Sequence, residues 1–490
     1  MLPALQNFNL IANPSPERRR VFKAQFIHSC FLLLSLSLNP CFSQNNNALL
    51  IPAKTWGRDS LRNIVISDWR SYLSTTVEMV PGFRPVSKVN ADKYGGDAAS
   101  KAKATGFFRT EKQGNRWWVI DPEGHHFVTA AVNSVRMGKS PNNELSLKAK
   151  FGTPEEWLVQ TAQLIRENDF NVIGAWSEVE LIQKYNILHP EKPIVYTTML
   201  SFMGEFSKRN RKKGAEKENS LSLLFDPAFQ SFCDEHARNT VLALKSDKNL
   251  LGHFSDNELA FSTDFLAKIL AKTDKTSPDV VAAKQWLSEN KIDEKTITKA
   301  QNEAFLGYVS DLYYREVAKA LKKYDPDHLY IGSRLHSSGK HVQAILKAAE
   351  KYVDIVSINY YGHWQPSQKH ISEWAEWCDR PFFITEFYTK AEDSGMENKT
   401  GAGWLVKTQT DRGIHYQNFC LELLKAPNCV GWHWFRYQDN DPTDLSADES
   451  NRDSNKGMVS YQYTPYVPLL EKMKVLNLNK YELIKHFDKK

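Results

Sequence analysis

The chain has 490 residues, of which 24% are charged, with 63 Lys and Arg against 57 Asp and Glu for a formal net charge of +6. Half of that excess sits in residues 1–43 (Arg18, Arg19, Arg20 and Lys23 against Glu17), so the remainder is too mildly basic for a nucleic-acid partner. A composition that is 41% hydrophobic and 12% aromatic, with 13 Trp, is globular and fits one large domain or two ordinary ones.

In chain order, residues 1–43 read as a secretory signal peptide. The basic Arg18–Lys23 precedes an apolar stretch, Cys30–Leu38, too short to span a bilayer, and cleavage after Ser43 is expected. Cys41 follows Asn39-Pro40, a poor lipobox, so the expectation is an exported protein rather than a lipid-anchored one. No other segment resembles a transmembrane helix. Residues 44–125 read as an N-terminal β-rich extension packing on a larger domain over 126–490, with a hairpin over 107–120 turning at Gln113-Gly114-Asn115.

Over 126–490 strand and helix patterns alternate, the signature of a parallel α/β fold. Eight strands are predicted: Phe127–Val135, Phe170–Trp176, Ile194–Leu200, Leu250–Ser255, His328–Leu335, Ile355–Tyr361, Pro381–Phe387 and Val430–Tyr437. Helices are predicted between most of them, including Pro154–Glu167 with Thr153 as N-cap, Phe305–Lys323 and Asp411–Leu424. The fold class is therefore a (β/α)8 TIM barrel. The stretch Phe261–Leu329 is too long for a simple connection and reads as a helical insertion after strand 4, with a helical pattern around Val280–Asn290. A last helix is expected within Tyr466–Phe487. The run Lys208–Lys213 reads as a solvated loop, with a rim that attracts an anionic polymer as the alternative.

Two acids end predicted strands: Glu258 after the fourth and Glu386 on the seventh. Those strands face each other across a barrel mouth, so the pair can flank one bond, as the two carboxylates of a glycosidase do. Asn257 precedes the first acid. Asn133 and Trp176 end strands one and two, Arg334 and His336 end strand five on a common face, and Asn359 and Tyr361 share a face of strand six. His363 and Trp364 follow strand six and are further candidates for the cleft wall. Cys233, Cys378, Cys420 and Cys429 lie beyond the signal peptide without CxxC spacing, so zinc is not expected; free buried thiols or one disulfide are. Asp439–Asp444 lacks the glycine and terminal glutamate of an EF-hand and reads as a rim loop. No metal and no cofactor are expected.

Asn257-Glu258 after strand four and Glu386 after strand seven resemble clan A of the retaining glycoside hydrolases. The segments Gly106–Gly124, Phe254–Phe261 (FSDNELAF), Tyr324–Leu335 (YDPDHLYIGSRL) and Gly431–Asp439 (GWHWFRYQD), with Gly457–Ser460, look like the β-agarases of glycoside hydrolase family 50. The resemblance spans roughly residues 105–465. It implies Glu258 as acid/base, Glu386 as nucleophile, Asn257 on the sugar hydroxyl beside the anomeric carbon, Tyr361 on the nucleophile, and Trp434 as the floor of the catalytic subsite. His433 would then face away from the site. Residues 44–105 are too few for the large β-sandwich that often precedes the barrel in that family. The expected activity is exported, retaining cleavage of β-galactosidic linkages in a polysaccharide or oligosaccharide partner such as agarose or neoagarooligosaccharides. An exo-β-galactosidase or other clan A enzyme, acting on a different and even sulfated polymer, and a non-catalytic carbohydrate-binding barrel are the alternatives.

Overall fold

The computed structural model describes residues 48–58, 64–210 and 220–489. The signal-peptide reading of 1–43, Cys41 and the Arg211–Lys213 part of the basic run lie outside these residues.

Eight parallel strands form the centre, and each overlaps one of the predicted segments: β1 (Thr129–Val132), β2 (Val172–Ile173), β3 (Val195–Met199), β4 (Leu250–Phe254), β5 (Leu329–Tyr330), β6 (Val356–Asn359), β7 (Phe382–Phe387) and β8 (Cys429–Trp434). They pair in the order β5-β4-β3-β2-β1-β8-β7-β6. A parallel bridge from Leu335, just beyond β5, to Ile358 in β6 closes the ring. Each strand is followed by a helix: α1 (Pro154–Glu167), α2 (Val179–Leu188), α3 (Phe229–Val241), α4 (Lys299–Tyr324), α5 (Gln343–Glu350), α6 (Gln368–Trp377), α7 (Gln409–Lys425) and α8 (Val467–Phe487). The fold is a (β/α)8 barrel. Among the described residues, no helix is long and apolar enough to cross a membrane.

Burial on both faces explains why the strands read as largely apolar runs without a regular polar alternation. In β4 every residue from Leu250 to Phe254 is buried. One set of side chains (Ala131, Val172, Val195, Leu251, Leu329, Phe383 and Val430) fills the barrel interior. The alternate set, including Val132, Ile173, Tyr196, Tyr330 and Ile384, packs under the helices. Helix starts follow local chemistry: the Thr153 hydroxyl accepts from the Glu156 amide at the head of α1, and Thr298 and Thr408 form capping boxes on α4 and α7.

The hairpin forms as Arg109–Gln113 and Arg116–Ile120. Phe108 and Val119 join Phe127 in the interior cluster, so the hairpin plugs the barrel at the N-terminal ends of its strands. Leu49–Lys54 pairs on one edge with Arg70–Ser74 and on the other with Trp404–Val406, which itself pairs with Thr389–Ala391. The extension thus shares a sheet with the connection between β7 and α7, a partner that the sequence does not reveal. The insertion after β4 contributes helices Phe265–Leu270 and Pro278–Glu289. Cys233, Cys378, Cys420 and Cys429 are free and buried.

Candidate active site

Two strand irregularities decide what reaches the mouth of the barrel. Ile358 of β6 pairs with Ile384, but the next residue, Asn359, pairs with Glu386. β7 therefore holds an extra residue at Thr385. A bulge of this kind re-aims the side chains after it. Phe383 faces the interior, Phe387 packs under the helices, and Glu386 turns into the cleft. The bulge is pinned from three sides. The Thr385 carbonyl accepts from Asn133 Nδ2 (2.7 Å) and Arg334 Nη2 (3.1 Å), and its hydroxyl donates to Asn359 Oδ1 (2.7 Å).

β8 carries the second irregularity: Phe382 pairs with Cys429, yet Ile384 pairs with Trp432. Gly431 sits in the extra position at φ +147°, where an added Cβ would lie 2.2 Å from the Thr129 carbonyl oxygen. A one-residue slip exchanges the two faces of a strand. His433 consequently points into the barrel against Phe254 and Phe383, while Trp434 points outward.

Five successive strands, β1 to β5, are followed at their C-terminal ends by non-glycine residues in the left-handed region: Ser134 (φ 53°), Trp176 (60°), Ser201 (58°), Glu258 (53°) and Arg334 (53°). Each such residue costs on the order of 1–3 kcal/mol, and the surrounding hydrogen bonds hold it there. Glu258 is presented to the cleft in this way. Its Oε1 accepts from Asn359 Nδ2 (2.7 Å), and His336 Nδ1 lies 3.6 Å from its Oε2.

The two acids have unlike surroundings. The Glu258 side chain is 32% exposed and that of Glu386 7%. Glu386 Oε1 accepts from Arg334 Nη2 at 2.5 Å, and Oε2 accepts from the Tyr361 hydroxyl at 2.7 Å. Burial pushes the Glu386 carboxyl above its ordinary value; Arg334 and Tyr361 act against this, and the nearby Glu258 charge adds to it. The Arg334 guanidinium is fully buried, 4.5 Å from the Trp176 ring centroid and 5.0 Å from that of Phe254. Its Nε donates to Asn257 Oδ1 (2.8 Å), which also accepts from Asn359 Nδ2 (3.1 Å). Those two donors fix the Asn257 amide with its oxygen inward, so its NH2 faces the cleft as a donor. Burial, aided by Lys340, brings His336 down to about 4, so at neutral pH it stands uncharged beside Glu258. Burial also brings Lys340 down to about 8, opposed by the Glu258 charge.

The cleft over these residues has a volume of about 1120 Å³, beyond the roughly 300–1,000 Å³ of ordinary small-molecule pockets. A space of that size takes several linked rings. Asn257, Glu258, Glu386, Tyr361, His336 and Trp176 all line it. Arg334, Asn359 and Asn133 do not: they are fully buried beneath it and hold the carboxylates and the β7 bulge, so the expected substrate contacts of these three are corrected to internal ones. Trp434 is also corrected. It is fully buried under α7, against Phe387 and Tyr416, with its Nε1 donating to the Lys456 carbonyl (3.1 Å). Trp364 packs instead with Tyr72 and Trp404 under the N-terminal sheet, donating to Ser74 Oγ (3.0 Å), and His363 stacks on Tyr360 away from the cleft. Sequence reasoning does not single out Tyr388 and Phe435, two aromatic walls of the cleft. Phe435 directly follows Trp434, so the segment is right and the face is not.

No family model matches the chain. Among curated proteins it is 27% identical over 483 residues to Beta-agarase B of Vibrio sp. (strain JT0107), covering 80% of this chain and 50% of that one. It is 30% identical over 253 residues to Beta-agarase A of the same organism, covering 50% of this chain and 23% of that one. The chain thus spans about half the length of the curated relatives it matches, or less. Among solved structures, BpGH50 is 31% identical with a TM-score of 0.79, over 90% of this chain and 96% of that one. An exo-beta-agarase structure, 21% identical with a TM-score of 0.67 over 82% of this chain and 68% of that one, shares the fold.

Proposed function

The chain belongs to glycoside hydrolase family 50, and on that basis we propose that it is a retaining β-glycoside hydrolase that cleaves β-galactosidic linkages in a galactan such as agarose or its neoagarooligosaccharides. The observation that carries this reading is the unequal pair of acids in one cleft. Glu386 is buried and held by a guanidinium and a phenol, which fix the orientation of both its oxygens. Glu258 is partly exposed beside a neutral histidine.

In the proposed double displacement, Glu258 protonates the departing glycosidic oxygen while Glu386 attacks the anomeric carbon. A covalent glycosyl–enzyme forms. Glu258, now ionised, takes a proton from water, which attacks the same carbon and releases Glu386. The outward-facing amide of Asn257 donates to the sugar hydroxyl next to the anomeric carbon, where the contact strengthens as charge develops. Trp176, Tyr361, Tyr388 and Phe435 offer ring faces and edges to the apolar faces of the sugars. Substrate choice is supported by the names of the agarase relatives. Export of the enzyme to a polymer outside the cell belongs to the same proposal.

Product analysis on agarose, neoagarooligosaccharides, porphyran, carrageenan and an aryl β-galactoside tests this. Release of neoagarobiose from agarose or its oligosaccharides is expected. Cleavage of the aryl galactoside alone would move the enzyme to an exo-galactosidase, and a lack of hydrolysis across the panel would overturn the substrate assignment.

Tyr361→Phe removes one of the two hydrogen bonds on Glu386. A bond to a charged group contributes about 1.5–3 kcal/mol, so kcat should fall roughly 10- to 100-fold. The acid limb of the pH–kcat profile should also move to higher pH, because the lost bond favoured the ionised form. An unmoved acid limb would separate Tyr361 from the nucleophile.

A further inference from the structure

We propose a zinc-class metal site formed by His341, His370 and Glu373, stapling the turn after β5 to helix α6. His341 ends the short 3-10 turn Ser337–His341, and His370 and Glu373 stand one turn apart on one face of α6. One ligand atom from each of the three lies within 4.8 Å of the others, and the two imidazole centroids are 4.3 Å apart. Two imidazoles and a carboxylate suit zinc, nickel or copper rather than magnesium or calcium.

The surroundings support ligation. Tyr360, whose hydroxyl accepts from the Ser367 amide (3.0 Å), engages His370 Nδ1 at 2.8 Å and leaves Nε2 as the ring's ligand atom. The His341 ring makes no hydrogen bond among the described residues. None of the three is fully buried, so an ion has a path in. Lys369 Nζ, 3.6 Å from Glu373 Oε1, is the local competitor; it is 79% exposed and free to swing away. The group His253, Asp325 and His328 is a different case. It is fully buried, and Thr198 and the Asp247 carbonyl take up its outer nitrogens.

The site would act through the turn it anchors. His336, just before that turn, lies beside Glu258, and Trp374 Nε1 of α6 already donates to the Lys340 carbonyl (2.8 Å). Coordination adds a second, stronger tie across the same junction and holds His336 in place.

The test uses untagged full-length protein dialysed against EDTA, titrated with zinc chloride by calorimetry and followed by thermal unfolding. Binding of one zinc per chain and a raised Tm are expected, with no response to magnesium. His341→Ala and Glu373→Gln should each weaken zinc binding about tenfold or more and abolish the Tm rise, while metal-free folding is unchanged. Absence of saturable binding, or equal binding by both variants, would overturn the site.

Discussion

Replacing Glu386 with glutamine should lower kcat on every substrate by about four orders of magnitude or more, the scale seen when a nucleophile is removed from a covalent mechanism. The change keeps the shape of the side chain and the bond from Tyr361, so circular dichroism should stay near that of the parent, while Tm should fall because the buried Arg334 charge loses its partner. Glu258→Gln should behave differently. Loss of a general acid–base group costs roughly 10²–10⁴-fold, but an activated aryl leaving group departs without a proton. On such a glycoside, Glu258→Gln should retain bond cleavage and stall at the glycosyl–enzyme, seen as a burst of phenol and an added mass on Glu386. If both variants hydrolysed agarose oligosaccharides at the parent rate, the two-glutamate mechanism would be wrong.

Arg334→Met should be the most damaging change at a residue that does not line the cleft. Arg334 and Glu386 are a buried ion pair at 2.5 Å, and removing one partner of such a pair typically costs about 3–5 kcal/mol, because the other charge is left unpaired. The pH dependence has a definite sign. Burial already raises Glu386 in the folded state, and Arg334 opposes that rise. Without Arg334 the folded value climbs further above the unfolded carboxylate value of about 4.3. The stability deficit should therefore be smallest below that value and grow as the pH rises through the folded value. The acid limb of activity should move to higher pH in parallel. Urea unfolding at several pH values, read beside a pH–kcat profile, checks both. A deficit independent of pH, with an unmoved acid limb, would show that Arg334 serves only packing.

Much of this is legible in the amino-acid order. Eight largely apolar runs, separated by helical patterns, specify the barrel, because strands buried on both faces carry apolar residues on both rather than alternating with polar ones. Chain order puts Glu258 and Glu386 at the ends of strands four and seven, and strand order in a closed ring then places them across one mouth. Asn257 and Tyr361 follow from their neighbours in sequence. The meeting of the two acids in one cleft, their unequal surroundings apart, is thus written in the primary structure.

The direction of each side chain, and what it meets, comes only from the packed fold. Alternation along a strand predicts facing only where no residue is inserted, and extra residues at Thr385 and Gly431 reset it in β7 and β8. That is why Trp434 lies under α7 and Phe435 in the cleft. Arg334 reads as a substrate contact in the sequence because a charge at a strand end usually meets solvent; here Glu386 offsets its burial. His341 and His370 lie 29 positions apart in the chain, and only the packing of the β5–α5 turn on α6 brings them together. Local propensity acts over a few residues, whereas a bulge, a buried ion pair and a ligand cluster each depend on partners supplied by other strands and helices.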